Sequence, residues 1–83
     1  MDRFLVVSPH TQGDCVKALK EIHAVGYITH FEWGCKDGDH TGWLILEAEN
    51  ANQALMVVPT MQRHTAKAIK LVKFSPQEVE AMH

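Results

Sequence analysis

The sequence predicts an α+β fold in the order β-α-β-β-α-β, closed by a short C-terminal helix. Four antiparallel strands form the sheet and two helices lie on one face. Three observations carry this expectation. Two helix-start signatures, Thr11-Gln-Gly-Asp14 and Asn50-Ala-Asn-Gln53, each open a stretch with apolar residues at helical spacing. An Asp37-Gly38 pair, the strongest short hairpin signal, separates two aromatic and β-branched runs. Apolar runs of strand length, Arg3–Ser8 and Ala66–Phe74, lie toward either end of the chain. At 83 residues, positions 1–83 make one domain, with no length for a second core.

The first strand is expected over 3–9, because the apolar, partly β-branched run stops at Pro9. The first helix is expected over 12–25. Thr11 supplies a hydroxyl cap, and Asp14 stands three residues on where a capping acid belongs. Cys15, Leu19 and Ile22 recur at i, i+4 and i+7 beside Ala18 and Val25, while Lys17 and Glu21 form an exposed pair. Gly26 ends the helix. Strands over 27–35 and 40–49 follow, joined through Lys36-Asp-Gly-Asp39. The second helix runs over 51–58 on Ala51, Ala54, Leu55 and Val58, until Pro59 breaks or kinks it and Thr60–Thr65 adds a further turn. The last strand covers 66–74. Ser75-Pro-Gln-Glu78 then combines a cap, a proline at the first helical position and an acid at the third.

This order is that of the ferredoxin-like split βαβ arrangement. With Asp37-Gly38 as a two-residue turn, Cys35 faces His40, Trp33 faces Gly42, Phe31 faces Leu44 and Thr29 faces Leu46. Glu32–Trp43 and His30–Ile45 pairs alternate with these on the opposite face. The face with Phe31, Trp33, Leu44 and Leu46 is the more apolar and belongs under the helices, with the Trp33 indole over Gly42. The other face carries His30, Glu32, Trp43 and Ile45, and receives either Phe4 and Val6 or Leu5 and Val7 from the first strand. That patch is too large to leave bare in water. Two sheets are therefore expected to pack face to face in a homodimer, which supplies core that so short a chain lacks.

In topology, size and paired open faces the sequence resembles the dimeric α+β-barrel superfamily, which includes muconolactone-isomerase-like proteins and cofactor-independent monooxygenases. The resemblance covers nearly the whole chain and implies a ferredoxin-like homodimer. It implies no particular catalytic residues, because members share a scaffold while their chemistries differ.

Eight basic against ten acidic residues give a formal charge of −2, which disfavours a phosphate-gripping surface and a nucleic-acid partner. An apolar fraction of 46% with 22% charged residues fits a folded soluble domain rather than a disordered one. No apolar run has bilayer length and Met1–Phe4 leads straight into a strand, so no membrane partner and no cleaved leader are expected. Two cysteines are too few for a disulfide scaffold, and a reducing cytoplasm is the expected compartment.

Six histidines and two cysteines remain to be explained. The topology gathers Ser8–His10, the helix start Thr11–Cys15, the hairpin tip Cys35–His40 and the His64 connection at one end of the sheet. His23, His30 and His83 fall elsewhere. Thiolate and imidazole suit zinc, copper or nickel, and His10, Cys35, His40 and His64 are the candidate ligands. Cys15 falls on the apolar face of the first helix, where an unreactive buried thiol is the usual occupant. The same helix start offers N–H groups near Thr11 and Gly13 to a carboxylate or phosphate. A ligand cleft would draw on Tyr27, His30, Phe31, Trp33 and Trp43, with His30 able to act as acid or base. Four functions stay open: a small-molecule-binding homodimer, which leads; a cofactor-free isomerase or monooxygenase; a transition-metal-binding protein; and an interaction module without a pocket.

Overall fold

The computed structural model describes residues 1–82, and His83 lies outside them. Strand β1 spans Asp2–Pro9, and its alternation sets the layers. Phe4, Val6 and Ser8 are buried on one side, while Leu5 and Val7 are half-buried on the other. Leu5 and Val7 are thus the pair that joins the open face.

Helix α1, Cys15–Ala24, is entered through a 3₁₀ turn over Gln12–Asp14. The Asp14 N–H donates to Thr11 Oγ1 at 3.2 Å, and the Thr11 hydroxyl donates to Asp14 Oδ2 at 3.0 Å. The same N–H also reaches the Thr11 carbonyl at 3.0 Å, so the turn's backbone and the side-chain cap share this donor. Ala18 and Ile22 form the buried stripe. The helix closes with Gly26 N–H on the His23 carbonyl at 3.0 Å and Tyr27 N–H on the Ile22 carbonyl at 3.1 Å.

Strand β2 is only Glu32–Trp33, so most of the strand expected over 27–35 is instead a turn. His30 and Phe31 N–H groups both reach the Tyr27 carbonyl, at 2.9 and 3.3 Å. Ile28 and Phe31 pack on the same core although three residues apart. The two-residue alternation of a strand cannot supply that spacing, so burial of this pair overrides the β propensity of an aromatic run.

The β2–β3 connection is longer than the expected two-residue turn. Cys35–Asp37 makes a 3₁₀ turn, Gly38 takes a φ of +86°, and Asp39 N–H returns to the Gly34 carbonyl at 3.0 Å. Both strands recede equally, so two of the expected pairs keep their register, Glu32 with Trp43 and Trp33 with Gly42. Cys35 and His40 lie in the loop rather than facing each other across the strands, and residues 29–31 pair with nothing in β3. The indole does cover Gly42, where a Cβ would stand 2.7 Å from the Trp33 ring.

Strand β3 covers Thr41–Ala48. Helix α2, Ala51–Ala54, continues as a 3₁₀ turn over Leu55–Val57. Asn50 caps it through Oδ1, which accepts from Gln53 N–H at 2.8 Å, and Gln53 Oε1 accepts from Glu49 N–H at 2.6 Å. The chain extends at Val58, and Pro59 begins a new turn, α3, at Thr60–Arg63. Strand β4 is Lys67–Leu71, shorter than the expected 66–74. Leu71 already pairs with Arg3, near the start of β1, so further residues have almost no strand to pair with. Helix α4, Pro76–Glu80, is held by the expected Ser75–Glu78 capping box.

Among the described residues the architecture is α+β, with four antiparallel strands in the order β2-β3-β1-β4. The core joins Phe4, Val6 and Leu44 of the sheet to Ile22 of α1, Ala54 of α2 and the following Val57 and Val58. The helices therefore cover one face. Leu5, Val7, Trp43, Ile45, Ile69 and Leu71 alternate onto the other. No helix among the described residues is long and apolar enough to cross a membrane.

Candidate metal centre

Three segments meet at the end of the sheet where β1 stops. Beyond β1, the backbone N–H of His10 donates to the His40 carbonyl at 2.9 Å, fastening the strand exit to the base of the hairpin. Cys15 opens α1 immediately after the capped 3₁₀ turn. Cys35 begins the 3₁₀ turn of the hairpin loop, whose far side is fixed by two bonds. Thr41 N–H reaches the Asp39 carbonyl at 2.8 Å, and the Thr41 hydroxyl donates to Asp39 Oδ1 at 2.7 Å.

These supports bring His10, Cys15, Cys35 and His40 together, all half-buried, with one donor atom from each within 4.8 Å of every other. Cys35 Sγ lies 3.4 Å from His10 Nε2. The His10 and His40 rings meet edge to face with centroids 5.7 Å apart. Donors on a tetrahedral zinc stand about 3.3–3.8 Å apart. The His10–Cys35 pair is at that spacing now, and the widest pair needs to close by about 1 Å. The Nδ1 atoms of both histidines are buried without a hydrogen-bond partner in the protein, which leaves imidazole nitrogens free to ligate or to hold a water.

The electrostatics match a pocket built for neutral imidazole and protonated thiol until a cation arrives. Burial holds His10 below the ordinary imidazole range; nearby His40 adds to this, while the Ser8 backbone and Asp14 oppose it. Burial likewise pushes the Cys35 thiol up, reinforced by its hydrogen bond to the Cys15 thiol, by the charge that thiol would carry, and by Asp39. Two adjacent thiolates repel each other, and a divalent cation between them removes that repulsion.

Three of the four ligands expected from sequence, His10, Cys35 and His40, are in this group, and His64 is not. His64 is exposed and lines a groove of about 300 Å³ with Pro9, His10, Thr11, Asp14 and Lys17. Cys15 takes its place. Reading Cys15 as a core residue missed this, because the first residue of α1 sits at the margin of the core, against the hairpin. The available signal was a symmetry of spacing: His10 and Cys15 are five apart across one turn, and Cys35 and His40 are five apart across another.

Thr11 and Gly13 form no anion cradle of their own. The Thr11 hydroxyl is committed to Asp14, and that carboxylate stands where an anion would approach. The proposed cleft residues divide between the two faces of the sheet. Phe31 is buried in the core and stacks on Trp33, with centroids 5.4 Å apart. His30 and Trp43 line a groove of about 360 Å³ on the open face with Leu5, Glu32 and Ile45. Tyr27 lies against His30, ring centroids 5.4 Å apart, and does not line that groove.

Comparison with protein-family models, with curated proteins and with solved structures returned no match.

Proposed function

We propose that this protein is a transition-metal-binding domain whose centre holds zinc through His10, Cys15, Cys35 and His40. The observation that carries the reading is the convergence of four donors from a strand exit, a helix start and a hairpin loop to within 4.8 Å. Two thiolates and two imidazoles are the donor set that zinc takes in closed tetrahedral sites, with copper and nickel as the competing ions. Four protein ligands leave no open position for a substrate, so the role is to hold the ion and the three segments together.

The strand order β2-β3-β1-β4, with helices on one face, supports the ferredoxin-like arrangement and the resemblance to dimeric α+β barrels. It lends less to an isomerase or monooxygenase. His30 has no hydrogen-bonded carboxylate among the described residues, so nothing orients it as an acid or base.

The test is titration of the reduced protein with zinc, read by native mass spectrometry, and with cobalt(II), read by absorption. One ion per chain is expected, with intense tetrahedral cobalt bands and thiolate-to-metal charge transfer. A weak octahedral cobalt spectrum, or no retained zinc at equimolar ratio, overturns the assignment.

A further inference from the structure

Cys15 and Cys35 are the only cysteines in the chain. Both are free thiols and both are half-buried, so neither is sealed in the core. The Cys35 thiol is hydrogen-bonded to that of Cys15, and the two sulfurs are among the donors that lie within 4.8 Å of one another. A disulfide bond of about 2.05 Å therefore needs an approach of less than about 3 Å. Each sulfur ends a side chain with a single torsion, so moves between staggered positions supply much of that approach. Cys15 opens α1 and Cys35 opens the hairpin loop, both outside the paired strands, so closure breaks no ladder bond.

We propose that Cys15 and Cys35 are a reversible dithiol–disulfide pair, oxidised by small disulfides, and that this disulfide and a bound metal exclude each other. The first part stands on the thiol pair alone, whereas the second rests on the zinc reading given above.

In the metal-free chain, one cysteine thiolate attacks a sulfur of the external disulfide and expels a thiolate, leaving a mixed disulfide. The second cysteine attacks the protein sulfur of that bond and expels the other thiolate. The two protein thiols are oxidised, the external disulfide is reduced, and the two protons pass to the departing thiolates. Starting from the metal-bound chain, those two protons come from solvent and Zn²⁺ is released. Exclusion follows because the thiolate is the ligand, and a sulfur bonded to sulfur no longer carries that charge. Oxidation leaves only His10 and His40 of the four donors. Losing two ligands should weaken zinc binding by about 10⁴-fold. The coupling is reciprocal, so bound zinc favours the dithiol by the same factor.

The experiment equilibrates reduced, metal-free protein with mixtures of glutathione and glutathione disulfide, traps free thiols with N-ethylmaleimide and measures the intact mass. The expected product is a single chain lighter by two hydrogens with no trapped thiol, while Cys15→Ser and Cys35→Ser stop at one glutathione adduct. Folding must supply the proximity. In denaturant the thiols meet at an effective concentration on the order of 1 mM, and the native chain should favour the disulfide over mixed forms by at least about 10-fold more. Saturating zinc should shift the midpoint toward a higher proportion of glutathione disulfide. The oxidised chain should retain no zinc until a reductant restores the thiols. A doubly glutathionylated chain, two chains joined by a disulfide, or no native advantage over denaturant overturns the pair. A disulfide formed with zinc still retained overturns the exclusion. Reduced protein that binds no zinc overturns the metal reading and the exclusion with it, and the metal-free comparison then decides the pair by itself.

Discussion

Cys35 Sγ lies 3.4 Å from His10 Nε2, although 25 residues separate the two in the chain. The contact depends on the backbone bond from His10 N–H to the His40 carbonyl, which ties the end of β1 across the loop that carries Cys35. The antiparallel pairing of β1 and β3 delivers both to one edge, with Pro9 opposite Thr41. The site is thus a product of sheet register as much as of ligand chemistry.

Cys15→Ser, Cys35→Ser and His40→Ala should each weaken zinc binding by about 100-fold or more, since each removes roughly a quarter of a four-ligand binding energy. His64→Ala should leave it unchanged, because His64 is outside the group. Chelator competition measures all four. Equal loss in the His64 variant would move the site into the neighbouring groove.

Much of this was legible in the sequence, and the misses share a cause. Caps at Thr11, Asn50 and Ser75 are local hydrogen bonds that need only a few residues, and all three form. The register of Trp33 on Gly42 was readable because apolar alternation fixes it even when the loop lengthens. The 27–31 segment was not, because its conformation is decided by burying Ile28 and Phe31 against residues far away in sequence. Choosing Cys15 over His64 needed the direction of the first turn of α1, which the intervening 3₁₀ turn sets. Placement by sheet end is too coarse to separate them.

The pH response should run in opposite directions on the two sides of neutrality. Cys35 has a raised folded-state pKa, so its contribution to metal-free stability is complete below the ordinary thiol value of about 8.5 and is lost as pH rises through the folded value. His10 has a lowered one, so its contribution is complete above about 6.5 and is lost as pH falls through the folded value. Metal-free protein should therefore show a stability plateau from about pH 6.5 to 8.5 in denaturant titrations. Zinc affinity should instead climb across that plateau, by up to about 100-fold per pH unit, as two thiol protons leave. A flat affinity profile would remove the thiols from the ligand set.

Gly42→Ala tests the link between core and site. Its Cβ would come within 2.7 Å of the Trp33 ring, whose centroid is 6.0 Å from that of His10. Overpacking of this kind costs about 1–3 kcal/mol, and the displaced indole pushes toward the ligand ring. Both the melting temperature and the zinc affinity should fall. Gly13→Ala, with no atom closer than 4.0 Å to the added carbon, should change neither.

Metal should stabilise the chain unevenly. Binding to the folded state alone adds RT ln(1 + [Zn]/Kd), about 4 kcal/mol at a thousand-fold excess over Kd. The ligands come from the β1 exit, the α1 start and the hairpin loop, so the backbone over 10–15 and 34–41 loses the most freedom when they are joined. Strand β4 and helix α4 hold no ligand; β4 runs from Lys67 opposite Val7 to Leu71 opposite Arg3, and α4 follows beyond that far end of β1. Hydrogen exchange should therefore slow in the first two segments on adding zinc, at concentrations that leave amides over 67–80 unchanged. Protection confined to 67–80, or none at 34–41, would mean that the ion sits elsewhere. Uniform protection would mean that those segments exchange only by global unfolding, and the Cys35→Ser variant would then have to lose the effect everywhere at once.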